Sequence, residues 1–403
     1  MSAPVNVPPI PTPRTIAVVT GTRAEYGLLK RLIARIHAAP ETELKLIPCA
    51  AHLSPDHGHT VSEIEADGFP IADRVEMLLS SDSAAGVTKA TGLGMIGFAD
   101  AFARLRPDLV VVLGDRFEIL AAASAALFAA VPVAHINGGE TTEGAFDEAV
   151  RHAVTKIAHL HFPAAAPYAE RIVQLGEDPA RVFDVGGLGV DAILALEPIS
   201  REALEAELGF AFGTKSLLLT FHPATVEGED PRPQMQALLN ALDRHPDIGL
   251  LFTLPNADSG GRALTAMIQE YADRRDNAVA HVSLGQKRYL SALRYVSGVI
   301  GNSSSGLAEA PSFGIGTINI GDRQQGRLRA ASVIDVSADA QAIDAAINQL
   351  FSSHFQASLP HARNPYGTGG AADAIFEIIS THPLSGLLKK RFHDLAPTKG
   401  HTP

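Results

Sequence analysis

Short runs of apolar residues, many of them β-branched, alternate with longer stretches of helical spacing along almost the whole chain. The plainest run is Leu109-Val110-Val111-Val112-Leu113, which follows Asp108 and is continuous in its apolar character rather than alternating. A strand of that kind is buried on both faces, which requires a parallel sheet with helices packed above and below it. Thr15-Ile16-Ala17-Val18-Val19-Thr20 is a second such strand, and residues 44–49, 131–136 and 159–162 are further candidates. Between the first two runs, Leu28, Leu32 and Ile36, with Leu29 and Ile33, recur at four-residue spacing and predict a helix. The uncharged stretch 119–134 contains Pro132 and is short for a membrane span, so it reads as a buried helix followed by a strand. After Gly186-Gly187 the pattern begins again. Helices at 200–208, 234–245 and 262–274 alternate with strands at 216–220, 249–253, 279–282, 299–301 and 316–320. The expected fold is α/β: two doubly wound, Rossmann-like domains.

The expected boundaries are a flexible, Pro-rich arm over residues 1–13 and a first domain over 14–186. A second Rossmann-like domain follows over 187–365, then a helix over 366–383 and a loosely held, Lys-rich tail over 384–403. At 403 residues the chain is too long for one ordinary core. Its net charge of −11 argues against a nucleic acid or an anionic membrane as partner. With Cys49 as the single cysteine no intrachain disulfide can form, which suits a soluble protein of the reducing cytoplasm.

In open α/β sheets ligands bind beyond the carboxyl ends of the strands, and the notable residues of this chain fall there. Gly301-Asn302-Ser303-Ser304-Ser305-Gly306 follows a strand and precedes a helix-compatible run. Backbone amides converging at such a loop, the positive end of the helix dipole and the Ser303 and Ser304 hydroxyls suit a phosphate. Glu309, a turn further on, could accept from ribose hydroxyls. Gly21-Thr22-Arg23 places a guanidinium near another helix start, where it could clamp phosphate. In Gly114-Asp115-Arg116 a carboxylate closes the most apolar strand, with Arg116 beside it to keep it charged or to hold an anion. His135-Ile136-Asn137-Gly138-Gly139-Glu140 opens an acidic loop that runs through Glu143, Asp147 and Glu148. Crowded carboxylates raise one another's pKa, as an acid or base at neutral pH requires. Phe221-His222-Pro223 brings an imidazole to a further strand end, and Arg323 and Arg327 lie after another. His52, His57 and His59 match no zinc spacing, so no metal is expected.

Taken together these segments resemble the hydrolysing UDP-N-acetylglucosamine 2-epimerases of sialic-acid and related nonulosonic-acid biosynthesis. The resemblance is carried by Val18–Tyr26, His52-Leu53 with Gly58-His59-Thr60, Gly114–Phe117, Gly138-Gly139-Glu140, Arg151-His152-Ala153, Phe221-His222-Pro223, Pro255-Asn256-Ala257-Asp258, and Gly301–Ser304 with Glu309 and Arg323. It runs in order over residues 15–375. It implies a GT-B-like pair of Rossmann-like domains facing a cleft, with a C-terminal helix crossing back to the first domain. It also implies a nucleotide-sugar substrate, UDP-N-acetylglucosamine foremost, converted without a cofactor to UDP and free N-acetylmannosamine through a 2-acetamidoglycal.

Carried over residue by residue, the resemblance places Asp115 and Asp147 with His52 and His222 in catalysis, and Glu140 of the matched Gly138-Gly139-Glu140 segment joins them as a candidate. Arg23, Arg116, Asn256, Ser303, Ser304 and Arg323 fall to the diphosphate and nucleotide, Glu309 to the ribose and Val282 to the base. A homodimer or homotetramer is the expected assembly. One position departs from the pattern: some members carry a catalytic Glu where this chain has Asn137. Glu140 or a neighbour then takes that role, or the enzyme works on another sugar. The alternatives are a UDP- or GDP-linked 2,4-diacetamido sugar of the legionaminic-acid route, or a GT-B glycosyltransferase.

Overall fold

The computed structural model describes residues 13–55, 58–81, 83–142, 146–223, 230–255 and 261–395. Most of the arm at 1–13, the end of the tail, His57 and Asn256 therefore lie outside the described residues.

The chain divides into two compact units, one formed by residues 1–139, 150–185 and 370–403, the other by 140–149 and 186–369. The first unit is built on five parallel strands: β1 (Arg14–Thr20), β2 (Thr42–Pro48), β3 (Leu109–Leu113), β4 (Val133–Ile136) and β5 (Leu160–Phe162). Their order is β2-β1-β3-β4-β5. β3 is buried at every residue, as its unbroken apolar run requires. The helix Arg23–Ala38 covers β1 and β2 with Leu29, Leu32, Ile33 and Ile36, all fully buried. The uncharged run resolves into the helix Phe117–Phe128, buried largely through its alanines, and then β4. The helix Ala84–Leu105, which the sequence reading did not assign, packs on the same core through Phe98 and Phe102.

The second unit holds six parallel strands: β6 (Ser216–Thr220), β7 (Gly249–Thr253), β8 (Ala278–His281), β9 (Gly298–Gly301), β10 (Gly316–Ile320) and β11 (Val333–Val336). They lie in the order β11-β10-β9-β6-β7-β8. β11 pairs with β10 from Thr317↔Val333 to Ile320↔Val336. Its burial is uneven, as suits an edge strand, so it carries no continuous apolar run to betray it.

Strand order reverses between β1 and β3 in the first sheet and between β6 and β9 in the second. A crevice opens at such a reversal, because the connections leave toward opposite sides of the sheet. The loops at 21–23 and 114–116 sit at the first reversal, and those at 221–223 and 301–304 at the second.

Three expectations need correction. Residues 140–149 group with the second unit, where Thr141 donates to the Gly326 carbonyl at 2.8 Å and Glu140 lies 3.6 Å from Arg327. The segment 384–395 is docked on the first unit rather than loose: Lys390 donates to the Lys156 and Ala158 carbonyls and to Glu177, and His393 N donates to the Gly176 carbonyl at 2.9 Å. The run after Ser304 forms a helix of only one turn, Ser305–Ala308, followed by a 3-10 turn through Pro311.

Candidate functional site

In the first unit the loop after β1 is built by side chains beneath it. Thr22 caps the helix Arg23–Ala38 by accepting from Glu25 N. Glu25 in turn accepts from Gly21 N at 2.7 Å. Glu118, fully buried on the first turn of its helix, lies against the same glycine, and a Cβ at Gly21 would come within 2.6 Å of its carboxyl. Burial, followed by the neighbouring Glu118 charge, pushes the Glu25 carboxyl up to about 8. Arg116 donates to Glu118 Oε1 at 2.6 Å. Arg23 stands at the surface, 3.8 Å from Glu63.

His52 is fully buried, with Nε2 3.1 Å from Thr20 Oγ1 and Nδ1 2.8 Å from Thr60 Oγ1. Burial pushes its ring down to about 4, so it is neutral at physiological pH. Its backbone amide also reaches the Gly21 carbonyl at 3.3 Å. Both ring nitrogens are thus engaged by hydroxyls of the fold, an arrangement suited to bracing the loop after β1.

Asp115 follows the left-handed Gly114 and is paired with Arg151, a guanidinium almost wholly buried on the helix Phe146–Ile157. The sequence reading put Arg116 beside this carboxylate. The structure puts Arg151 there, because the helix after β4 brings position 151 back under the end of β3. His135, fully buried on β4, donates from Nε2 to the Gly114 carbonyl at 2.8 Å and lies 3.2 Å from Thr155 Oγ1. Burial pushes its ring down to about 3, so the bond to Gly114 fixes a neutral tautomer. Arg151 and His135 therefore set the direction of Asp115. Arg151 was visible only as part of a motif, its role hidden because a buried arginine has no signature in a helical pattern.

Beyond β4, Asn137 takes a left-handed φ of 61° and donates its amide to the Phe162 carbonyl at 3.0 Å. Its side-chain Oδ1 is buried and meets no hydrogen-bond donor of the described residues. At Gly139 (φ 77°) any Cβ would collide with the Tyr168 carbonyl, so the glycine is obligatory there.

In the second unit Glu140 is buried near Arg327, and Asp147 lies half-buried in the first turn of the helix Phe146–Ile157. His222 follows β6 and is half-buried. Asn302 accepts from His222 N at 2.7 Å and donates to His222 O at 2.8 Å. The Asn302 carbonyl accepts from Arg323 at 3.0 Å and Gln324 at 2.9 Å. Ser304 is the N-cap of the single turn that follows, and Ser303 Oγ accepts from Ser305 N at 3.4 Å. One turn sums few peptide dipoles, so an anion here would rely on the unpaired first amides and the hydroxyls more than on a macrodipole. Ser305 is bonded to Glu309 and receives the Tyr289 hydroxyl at 2.8 Å. Burial pushes the Glu309 carboxyl up. Val282, one residue past β8 and so outside the strand expected to contain it, is 81% exposed.

Among the described residues no three His, Cys, Asp or Glu side chains gather as metal ligands, and no helix is long and apolar enough to cross a membrane.

A family model described as UDP-N-acetylglucosamine 2-epimerase matches residues 34–380. Among known proteins, the GDP/UDP-N,N'-diacetylbacillosamine 2-epimerase (hydrolyzing) of Campylobacter jejuni is 38% identical over 344 residues, 85% of this chain and 89% of that one. The UDP-N,N'-diacetylbacillosamine 2-epimerase (hydrolyzing) of Legionella pneumophila is 35% identical over 379 residues, 94% and 98% of the two chains. The crystal structure of UDP-GlcNAc 2-epimerase from Neisseria meningitidis bound to UDP-GlcNAc superposes with a TM-score of 0.79 at 20% identity, over 91% of this chain and 99% of that one, and so shares its fold.

Proposed function

The chain belongs to the UDP-N-acetylglucosamine 2-epimerase family, and on that premise we propose that it is a hydrolysing 2-epimerase of a nucleotide-linked 2,4-diacetamido-2,4,6-trideoxy sugar. One observation carries the choice of sugar. Two relatives that match most of this chain at 38% and 35% identity are named for N,N'-diacetylbacillosamine rather than N-acetylglucosamine. The motifs alone favour UDP-N-acetylglucosamine, with this sugar as the alternative; the two named relatives reverse that order. Asn137 supports the reversal, since its amide cannot act as a base where some members of the family carry a catalytic Glu.

The chemistry is removal of the C2 proton as the nucleoside diphosphate leaves C1, giving a 2-acetamidoglycal. Water then adds at C1 and C2 takes a proton on the opposite face, releasing the free sugar with C2 inverted. Two acid–base groups are required because the proton leaves and returns on different faces. Asp115, aimed by Arg151 and the His135–Gly114 bond, is the first of them in this reading. Glu140 and Asp147 supply the second. His222 donates to the departing phosphate. Arg323, Ser303 and Ser304, with Arg23 and Arg116, stabilise the charge that develops there. Glu309 takes the ribose and Val282 the base, and Asn256 belongs to the nucleotide-binding set of the same proposal. His52 holds the loop after β1.

A homodimer or homotetramer belongs to the same proposal. Ile96 and Phe128 stand 65% and 79% exposed on the helices Ala84–Leu105 and Phe117–Phe128, beside an apolar groove of about 760 Å³. A patch of that kind on a globular chain suits a second copy.

The reaction is tested by incubating the protein with UDP- or GDP-2,4-diacetamido-2,4,6-trideoxyglucose, and separately with UDP-N-acetylglucosamine, in deuterated water without added metal. Proton NMR is expected to show free diacetamido sugar deuterated at C2. Consumption of UDP-N-acetylglucosamine alone would reinstate that substrate. Inertness toward all three would overturn the epimerase reading for this chain.

A further inference from the structure

We propose that Asn302 is the positioning residue of the second unit, a clamp through which His222 is held and aimed. This rests on the reading above that His222 serves the leaving phosphate. Asn302 is 2% exposed and sits one residue beyond β9, at the reversal between β6 and β9. Its carboxamide meets both backbone groups of His222, Oδ1 taking the N–H and Nδ2 giving to the carbonyl, so that residue 222 is gripped as a sheet partner grips a strand. Its own amide donates to the Thr220 carbonyl at 3.2 Å, and its carbonyl holds Arg323 and Gln324. Three loops, those after β6, β9 and β10, thus meet at one side chain and its peptide. Gly301 makes the approach possible, since at φ 142° a Cβ would collide with the Thr220 carbonyl.

Asn302 needs both an acceptor and a donor at fixed positions, which only a primary amide of this length supplies. Aspartate keeps the shape but sets a carboxylate oxygen against the His222 carbonyl, pushing the histidine away. Alanine keeps neither bond yet imposes no repulsion. If the side chain merely fills space, Asn302→Ala should be the worse of the two, because it leaves a void. If it aims His222, Asn302→Asp should be worse in kcat.

The experiment measures kcat, KM, UDP affinity and thermal midpoint for Asn302→Asp, Asn302→Ala, His222→Ala and the two double variants. The expected loss in kcat for Asn302→Asp is about 100-fold, the scale of a misplacement near 1 Å, with KM and UDP affinity changed less than about threefold because the carbonyl that holds Arg323 is retained. In the His222→Ala background either substitution at Asn302 should cost little more, since its route of action is already gone. Losses that multiply, or a larger loss for Asn302→Ala, would overturn the clamp. Should Asn302→Asp fail to fold, the Asn302→Ala cycle decides.

A second readout needs no substrate. In protein labelled with 15N-histidine, the His222 amide proton should exchange slowly in wild type and at least tenfold faster in Asn302→Ala. Rapid exchange in wild type sinks the clamp, whereas slow exchange in an inactive wild type sinks the proposed reaction and leaves the clamp standing.

Discussion

At Asp115 a carboxylate stands at the end of a wholly buried strand, tethered to a buried guanidinium that has come round from another helix. Its replacement by asparagine keeps the shape and removes the base. Turnover of Asp115→Asn is expected to vanish while UDP binds with nearly unchanged affinity in calorimetry; a large loss of affinity would make Asp115 structural. Ser304→Ala is expected to weaken UDP binding by roughly 1–3 kcal/mol, the value of a hydrogen bond to a charged group. Unchanged affinity would remove the loop after β9 from the phosphate site. Glu25 has a different signature. Its folded-state pKa of about 8, raised first by burial and then by Glu118, lies above the ordinary 4.5, so the folded chain keeps a proton that the unfolded chain releases. Stability should therefore decline as pH rises from about 4.5 to 8. Glu25→Gln, which can still accept from Gly21 N, should flatten that decline in thermal midpoints taken across the window. An unaltered slope would show that Glu25 is charged in the fold.

Among the elements, the C-terminal segment shows how a stretch with no periodic pattern is held. Leu387 is buried, Arg181 donates to its carbonyl at 2.9 Å, and Lys390, Lys156 and His161 converge on the buried Glu177. Burial alone would raise the Glu177 carboxyl, but the three hydrogen bonds outweigh it and hold it down at about 2. The folded pKa lies below the unfolded one, so this stabilisation is complete above pH 4.5 and is lost as pH falls toward 2. At about 1.4 kcal/mol per pKa unit it amounts to roughly 3 kcal/mol. His159, pushed down to about 4 by burial, adds a loss in the same direction below pH 6.5. Glu177→Gln should lower the thermal midpoint at pH 7 and flatten the remaining acid limb between pH 4.5 and 2.5. A variant as stable as wild type at pH 7 would mean that the cations gain nothing from the carboxylate.

For the molecule as a whole, the exposed Ile96 and Phe128 give the assembly its test. If the proposed dimer or tetramer forms through this face, wild type is expected to sediment as that assembly and Phe128→Glu as a single chain; a variant of unchanged mass would overturn the proposed interface. Local pattern determined the strands other than β11, the succession of two α/β units and the loops at strand ends, because burial on two faces writes itself into every residue of a strand such as β3. The same patterns singled out Asp115, His222 and the loop after β9 as candidates, and the matched motifs led to the family. Tertiary structure alone decided the partners: Arg151 rather than Arg116 on Asp115, His52 enclosed by Thr20 and Thr60, Asn302 on His222, and Lys390 on Glu177. Each of these pairs joins separate elements whose meeting depends on sheet order and helix placement. No periodicity within a segment records which distant polar group it will face.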